Sequence, residues 1–300
     1  MTYSIDETKN WLENRFKAVD ENGIYVGHQP IYGFKNGPAE PGAIDRYIIT
    51  FQILRHLEGI EFSSLLDIGG AEGYKSALIK KVFSVEVHSS DLSEEACKRA
   101  RELYGISATS AKITELPFDD NSFDIVICSE TLEHVQDFQE AVIELLRVAK
   151  SAVIITVPME TPAFVADTIA RGEMHGHIQS LTAKSFDFLD DTLRVSTSYH
   201  HCRWLKPLRM LLSHEERKGK KFPPFVYKIF NTLSRFVNRN AGRLFYKNLI
   251  KLDLALSTNK NSYGLLVVIE KQKNKKYLEK RRLNLEAVLD FKRDHYRLQN

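Results

Sequence analysis

A run of small residues directly follows an apolar segment near the start of the chain, in SLLDIGGAEGY at residues 64–74. The apolar segment predicts a buried strand, and the small residues predict a tight turn into a helix. The backbone of such a turn can approach a ligand closely, and the helix start offers free N–H groups. The pattern indicates a nucleotide-binding turn, which several kinds of α/β protein share. Its residues are Asp67, Gly69, Gly70, Ala71 and Gly73.

An acidic residue, Asp91, stands at the end of the next predicted strand, 18 residues beyond Gly73. A carboxylate at that position can accept hydrogen bonds from two ribose hydroxyls. Strand, turn, helix, strand and acid together predict a site for a cofactor that contains a nucleoside.

A second group of chemically active residues follows the later apolar segment FDIVICS. It contains Glu130, Glu133 and His134, which would share one face if this segment opened a helix. Two further histidines, His175 and His177, follow the next apolar segment, SAVIITV. Segments after the carboxyl ends of neighbouring parallel strands converge on one cleft, so we expect the two clusters to meet.

Two interpretations of this glutamate–histidine group are open. In the first, His134, Glu130 and His177 are catalytic, and a histidine removes or orients a proton, since its ordinary pKa of about 6.5 suits proton transfer. In the second, a divalent cation, Mg²⁺ or Mn²⁺, lowers the pKa of a bound hydroxyl. Its ligands would be Glu130, Glu133, His134 and His177, or His175 in place of His177.

Strand-like and helix-like segments alternate along the middle of the chain. Strands are predicted at 64–68, 82–90, 123–129, 151–157, 193–199 and 263–270, and helices at 72–81, 93–104 and 137–148. Such alternation predicts an α/β protein in which helices cover both faces of a largely parallel sheet. His200 and His201 come at the end of the strand at 193–199 and are expected to lie outside the site.

The segment ITELPFDDNSFDIVICSETLEHV at residues 113–135 distinguishes between cofactor types. Together with DIGGAEG and SSDLSEEACKRAR, it closely resembles class I S-adenosylmethionine (SAM)-dependent methyltransferases, in particular the type 11 methyltransferase-domain group. The resemblance covers about residues 42–200. It implies a Rossmann-like, seven-stranded methyltransferase sheet with helices on both faces and a helical insertion before the last strand. A Rossmann unit for NAD is the alternative.

The resemblance also implies roles in SAM binding, residue by residue. Asp67 and the turn from Gly69 to Gly73 would frame the methionine part, and Asp91 would bind the ribose. Lys112 stands where the family usually has an acid for the adenine edge, which leaves adenine to Ile113 and backbone groups. The residues assigned to the cofactor are Asp67, Gly69, Gly70, Ala71, Gly73, Asp91, Leu92, Ile113 and Ser129.

The resemblance implies methyl transfer from SAM but leaves the acceptor open. We expect O-methylation of a small molecule, a sugar or a lipid-linked glycan. The ExxEH run also resembles metal-dependent O-methyltransferases that act on polyprenyl phenols or on small-RNA 3′ ends. The alternatives are a metal-dependent RNA 2′-O-methyltransferase and a non-catalytic partner protein that keeps the SAM fold.

The composition is that of a globular protein of 300 residues, with 43% hydrophobic and 27% charged residues. Three cysteines without a CxxC pair argue against a disulfide framework, and we expect them only to pack. The polar start MTYSIDETKNWLENRF does not resemble a signal peptide, and no apolar run approaches the ~18 residues of a membrane span. We therefore expect a cytoplasmic protein.

The small net charge of +3 conceals two basic segments. Residues 206–251 contain twelve Lys or Arg against two Glu, and residues 271–300 contain ten against four acids. We expect a helical entry or cap at 1–60, a SAM-binding core at 61–205, a basic aromatic helical insertion at 206–258, the last core strand at 259–272 and a charged, solvated helix at 273–300.

The insertion at 206–258 mixes aromatic residues with regularly spaced Lys and Arg, and three interpretations are open. It could be a lid that roofs the acceptor pocket together with the entry segment. It could bind the inner face of a membrane or a lipid-linked acceptor. It could also bind nucleic acid, which is less favoured because no RNA-binding module accompanies it.

Overall fold

The computed structural model describes residues 3–21, 23–31, 43–212, 223–240, 242–271, 283 and 285–291. The helices are α1 (Ile5–Lys17), α2 (Ala43–Leu57), α3 (Tyr74–Phe83), α4 (Glu94–Tyr104), α5 (Phe138–Val148), α6 (Pro162–Arg171), α7 (Lys206–Leu212), α8 (Pro224–Asn240), α9 (Gly242–Leu256) and α10 (Leu285–Asp290). The strands are β1 (Ser64–Ile68), β2 (Glu86–Asp91), β3 (Ser107–Ser110), β4 (Phe123–Ser129), β5 (Ala149–Pro158), β6 (Arg194–Cys202) and β7 (Ser262–Glu270).

The strands form one seven-stranded sheet in the order β3-β2-β1-β4-β5-β7-β6. The first five are parallel, and β7 runs antiparallel to both of its neighbours, β5 and β6. The insertion α7–α9 lies between β6 and β7 in the chain. The predicted Rossmann-like methyltransferase sheet with a helical insertion before its last strand is confirmed.

Two apolar layers cover the sheet because successive side chains of a strand point to opposite faces. On β1, Leu65 packs into the layer formed with α2, α3, α9 and α10, whereas Leu66 packs into the layer formed with α5. On β4, Ile127 packs into the same layer as Leu65, and Val126 packs into the same layer as Leu66. The carboxyl ends of the parallel strands are thereby held side by side at one edge of a rigid core.

The main differences from the predicted elements lie around β2 and β3. Val82 and Phe83 belong to α3, which ends at Phe83. Ser84 caps the helix with a left-handed φ of 56°, so β2 begins only at Glu86. Strand β3 was not predicted, because its four residues, SATS, have no apolar pattern. All three cysteines are free and buried, as expected.

The segment predicted as an entry or cap at 1–60 divides into two parts. Helix α2 packs into the core beneath the sheet, where Ile48 and Leu54 are fully buried. Helix α1 is instead fastened to the start of α4 by Glu13, whose carboxylate accepts hydrogen bonds from Ser93 Oγ and from the N–H groups of Glu94 and Glu95. These bonds fix α1 beside the carboxyl end of β2.

A buried ion pair anchors the insertion to the core. Asp253 of α9 accepts hydrogen bonds from the backbone N–H groups of His201 and Cys202, at 2.7 and 3.0 Å, and from Arg209 Nη1 at 2.8 Å. Arg209 Nε also lies 3.0 Å from Asp45 Oδ1 on α2. The network ties α7, α9, β6 and α2 into one unit.

The described part of the charged C-terminal segment is a helix with one buried face, whereas a fully solvated helix was expected. Leu285, Val288 and Leu289 of α10 are buried in the core layer, and Tyr74 Oη donates a hydrogen bond to the Val288 carbonyl. The rest of the predicted helix at 273–300 lies outside the described residues. Among the described residues, no helix has both the length and the apolar character needed to cross a membrane.

Candidate functional site

The small-residue turn after β1 is packed too closely to admit side chains. Gly69 has a left-handed φ of 69°, and a Cβ there would lie 2.0 Å from Thr131 Oγ1. A Cβ on Gly70 would lie 2.1 Å from Ser89 Oγ. These contacts bring the turn against the ends of β4 and β2, where its backbone is accessible to a ligand.

Asp91 holds this turn in place. Its Oδ2 accepts a hydrogen bond from the Ala71 N–H and its Oδ1 one from the Ser93 N–H, both at 3.0 Å. Burial raises the pKa of Asp91 to about 6. Ala71, which stands where the family motif has a glycine, adopts a left-handed φ of 48°.

A cavity of about 590 Å³ opens between the carboxyl ends of the strands and helix α1. This volume lies within the range of small-molecule and cofactor sites. Its wall includes residues of α1 and α2, the turn after β1, the end of β2, the segments after β3 and β4, and the loop after α6.

The structure brings most, but not all, of the predicted cofactor residues to this cavity. The residues that line it are Gly69, Ala71, Asp91, Leu92, Ile113 and Ser129. Asp67 lies outside the wall and is fully buried; it accepts a hydrogen bond from Ser76 Oγ at 2.7 Å. Gly70 and Gly73 also lie outside the wall and shape the turn. Lys112, which occupies the usual position of the adenine acid, lines the cavity next to Ile113.

Histidine rings form the opposite side of the cavity. His134 stacks on His175, with ring centroids 3.8 Å apart, and meets His177 edge-on at 4.8 Å. Trp11 of α1 also stacks on His175, at 5.1 Å. His134 and His175 line the cavity, whereas His177 lies behind them and its Nδ1 is 2.6 Å from Glu160 Oε2.

The environment of His134 determines its tautomer and its charge. Its Nδ1 is 3.2 Å from the Gly176 carbonyl oxygen, which can only accept, so Nδ1 carries the proton. Burial, followed by the nearby His175 and His177, lowers the pKa of His134 well below its ordinary value. His134 is therefore neutral near pH 7, and its Nε2 has a free lone pair.

The predicted helix face of Glu130, Glu133 and His134 is wrong. Only a single 3₁₀ turn forms, at Leu132–His134, and Glu130 precedes it with a left-handed φ of 55°. Glu130 reaches the cavity, and its Oε1 has no hydrogen-bond partner among the described residues. Burial raises the pKa of the carboxyl groups of Glu130 and Glu133.

Three of the four predicted metal ligands meet in the structure. Ligand atoms of Glu133, His134 and His177 lie within 4.8 Å of one another, and Oε2 of the buried Glu133 has no partner in the described part of the chain. Glu130 is not part of this group, and His177 already contacts Glu160. The cluster thus fits a cation in part.

Several residues in or behind the cavity wall were not predicted, because nothing in the local sequence pattern marks them. They are Trp11 behind the wall, and His28, Arg46 and Lys75 in it. His201 also lines the cavity, contrary to the expectation that it lies outside; its Nε2 is 3.2 Å from the Asp45 carbonyl oxygen.

The insertion does not roof this cavity, so the expectation of a shared lid is wrong for the described residues. No described residue of 206–258 belongs to the cavity wall, whereas α1 contributes several. The insertion packs instead against β6 and α2, away from the wall formed by α1.

The chain is similar to known methyltransferases. Residues 66–157 match the model of a methyltransferase domain. Over 154 residues, the chain is 27% identical to a demethylmenaquinone methyltransferase of Chlorobaculum tepidum, covering 50% of this chain and 63% of the relative. Over 101 residues, it is 26% identical to an ajmaline N-methyltransferase of Rauvolfia serpentina, covering 31% and 35%. The chain thus spans less than two thirds of the length of either relative.

Among solved structures, a chain of the complex between the Haloferax volcanii Trm112 methyltransferase activator and a methyltransferase has a similar fold. The TM-score is 0.51 at 18% sequence identity, covering 78% of this chain and 93% of that one. At this identity the similarity concerns the fold alone.

Proposed function

We propose that this protein transfers a methyl group from SAM to an oxygen atom of a small molecule, a sugar or a lipid-linked glycan, since residues 66–157 match a methyltransferase-domain model and the fold is similar to that of a methyltransferase complex. One observation carries the proposal. Asp91 and the small-residue turn line the same cavity as the neutral His134, so a donor site and a proton acceptor face one space.

The donor side of the cavity suits the parts of SAM. Gly69 lines the cavity with backbone alone, which makes room for a methionine moiety. Asp91 lines the wall with a carboxylate that can accept ribose hydroxyls, and Leu92 and Ile113 offer apolar surface to the adenine. SAM, when bound, supplies an electrophilic methyl group on its sulfonium sulfur.

The acceptor side offers groups that bind and orient a hydroxyl. His134 Nε2 can accept the hydroxyl hydrogen, because the Gly176 carbonyl holds the other proton on Nδ1. The unpartnered Oε1 of Glu130 provides a second acceptor in the same wall. A positioned base removes the hydroxyl proton as the new bond to carbon forms, which gives His134 its proposed role.

Two further observations support a small acceptor. The cavity of about 590 Å³ must hold both the donor and the reacting part of the acceptor. The two relatives described above are named for ajmaline and demethylmenaquinone, both small molecules. We favour small acceptors over RNA because no described residue of the basic insertion lines the cavity.

Calorimetry with SAM in EDTA tests the donor site. We expect a binding heat in the wild-type protein and at least about a tenfold weaker Kd in Asp91→Ala. Asp290→Ala, which alters an exposed carboxylate on α10, is the matched control and should leave the Kd unchanged. Absence of SAM binding by wild-type protein would overturn the proposal and favour a non-catalytic partner protein.

The acceptor side is tested by transfer of labelled methyl from SAM to a panel of phenols and sugars. His134→Ala should bind SAM normally and lose about a hundredfold in turnover. His56→Ala is the control, since His56 bonds Ser198 and does not line the cavity. Unchanged turnover in His134→Ala would remove this residue from the mechanism.

The cluster of Glu133, His134 and His177 supports a second candidate, a metal-assisted transfer. A divalent cation there would lower the pKa of the acceptor hydroxyl. In calorimetry with Mg²⁺ or Mn²⁺, this candidate requires a binding heat that is lost in Glu133→Ala. Without that heat, His134 remains the base.

A further inference from the structure

Helix α8 of the insertion carries its apolar residues on the side that faces solvent. Phe225, Ile229 and Leu233 follow one another at intervals of four residues and therefore lie on one helix face. They are 62%, 63% and 48% exposed. A helix at a water-exposed surface normally directs such residues inwards, so this orientation calls for a partner that is itself apolar.

The opposite face of α8 attaches the helix to the rest of the insertion. Ser234 is buried and its hydroxyl donates a hydrogen bond to the Leu211 carbonyl at 2.6 Å, near the end of α7. The apolar side therefore faces outwards because α8 is held by its other face.

The segment before α7 and the start of β7 carry further residues that are typical of an interface. Trp204, in the 3₁₀ turn that precedes α7, is 71% exposed. Beside it, the guanidinium of Arg203 and the ammonium of Lys206 lie 4.7 and 5.4 Å from the ring centre of Tyr263. Tryptophan and tyrosine next to basic side chains are typical of the boundary between lipid headgroups and acyl chains.

The positive charge of the insertion indicates which kind of apolar partner it binds. The chain has only three acids between residues 206 and 258, and Asp253 is fully buried in its pair with Arg209. Lys228 and Lys251 are exposed on α8 and α9. A surface that combines outward apolar residues with a large positive excess is complementary to anionic lipid.

We propose that the α7–α9 insertion is a membrane-docking surface that binds an anionic bilayer through the outward face of α8 and Trp204. Phe225, Ile229 and Leu233 enter the acyl boundary, and the lysines contact the headgroups. An RNA partner would leave the aliphatic side chains unused, since nucleic acid is bound through phosphate charge and base stacking. The proposal does not depend on methyl transfer.

Flotation of the full chain with vesicles tests the proposal. The two compositions are phosphatidylcholine alone and an equal mixture with phosphatidylglycerol. We expect binding to the anionic vesicles that weakens with salt, and a blue shift of tryptophan fluorescence on binding. The triple variant Phe225→Ser, Ile229→Ser, Leu233→Ser should bind at least about tenfold more weakly. Lys228→Glu with Lys251→Glu should show a similar loss.

A matched variant shows whether the loss of any exposed apolar side chain weakens vesicle binding. Ile143→Ser removes an apolar side chain that is 58% exposed on α5 and should leave vesicle binding unchanged. The far-UV circular dichroism spectrum should be the same in all these variants, which shows that each one is folded whether or not SAM binds.

Three kinds of result would overturn the proposal. The first is a flotation result: either the wild-type protein does not float with either vesicle, or the triple variant floats as well as the wild-type protein. The second is a dimer in light scattering that the triple variant abolishes, because the apolar face would then bind a second copy. The third is tighter binding to single-stranded RNA than to vesicles, lost in the lysine variant but not in the triple variant.

Discussion

Burial sets the charge of individual residues around the cavity. It raises the pKa of carboxyl groups such as Asp67, Asp91 and Glu133, and it lowers the pKa of His28 to about 3 and of His175 to about 4. Histidines that are neutral near pH 7 can accept a hydrogen bond from the hydroxyl group of the substrate that receives the methyl group. A cationic donor would favour ionised carboxylates, so binding of SAM and ionisation of Asp91 should support each other.

We predict that SAM affinity depends on the ionisation of Asp91. The pKa of Asp91 in the free protein is about 6, so its carboxylate is charged above that pH and protonated below it. Because the charged form accepts hydrogen bonds from the ribose hydroxyls better, the Kd for SAM should rise by up to about tenfold per pH unit below about pH 6. Calorimetry with SAM at several pH values above and below pH 6 measures this change in Kd.

The matched variant for this prediction is Asp91→Asn, which cannot ionise. It should bind SAM weakly, and its Kd should vary less with pH. A wild-type Kd that stays constant through pH 6 would contradict the proposed contact between Asp91 and the ribose.

A second prediction at this scale concerns Gly69. An added Cβ would meet Thr131 Oγ1 at 2.0 Å, and the φ of 69° is unfavourable for alanine. Gly69→Ala should therefore lower the free energy of unfolding by at least about 2 kcal/mol and abolish SAM binding. Ala71→Gly should change stability by less than about 1 kcal/mol, since it removes a strained left-handed alanine. Urea unfolding measures the free energy of unfolding of both variants. An equal loss of stability in the two variants would contradict this prediction, because the turn would then tolerate neither change.

Among the elements, the 3₁₀ turn after β4 and the docking of α1 decide the shape of the site. The turn places Glu130 in a left-handed conformation instead of on a helix face with Glu133 and His134. Helix α1 brings Trp11 onto His175 because Glu13 caps the start of α4. Both features come from contacts between elements that are distant in sequence.

The pair of Asp253 and Arg209 should dominate the stability of the insertion. Asp253→Ala leaves Arg209 partly unpaired and two backbone N–H groups without their acceptor, so we expect a loss of about 3 kcal/mol in unfolding free energy. The control is Asp290→Ala, which breaks an exposed pair with Arg243 and should cost less than about 1 kcal/mol. Similar losses in chemical denaturation would refute a structural role for the buried pair.

At the scale of the whole molecule, the cavity lies between the sheet and α1, whereas the insertion packs elsewhere on the core. The proposed SAM site and the proposed membrane-docking surface are therefore separate. The two are connected mechanically through Arg209, which contacts both Asp253 of the insertion and Asp45 in the cavity wall.

Hydrogen exchange can test this arrangement. Binding of SAM should slow amide exchange in α1 and in the loop at 172–178, because both line the cavity, and should leave α8 unchanged. Protection limited to residues 68–75 would contradict a role of α1 in covering the donor. Protection of α8 would contradict the separation of the two surfaces.

Most of the fold and the donor side of the site could be predicted from the sequence because their signals are local. The strands Ser64–Ile68 and Phe123–Ser129 match their predicted bounds, since each is a continuous apolar segment. The turn after β1 and Asp91 belong to one strand–helix–strand unit, so their meeting follows from the order of elements.

His134 and His175 meet as the order of the strands predicts, but only the tertiary structure decided the rest of the acceptor side and the position of the insertion. Trp11 reaches His175 from α1, and His201 reaches the same cavity from the end of β6. The outward orientation of α8 depends on which of its two faces is held by α7, which its amphipathic pattern leaves undetermined. Local pattern fixes which residues share a strand or a helix face, whereas long-range packing selects which faces meet and which remain exposed.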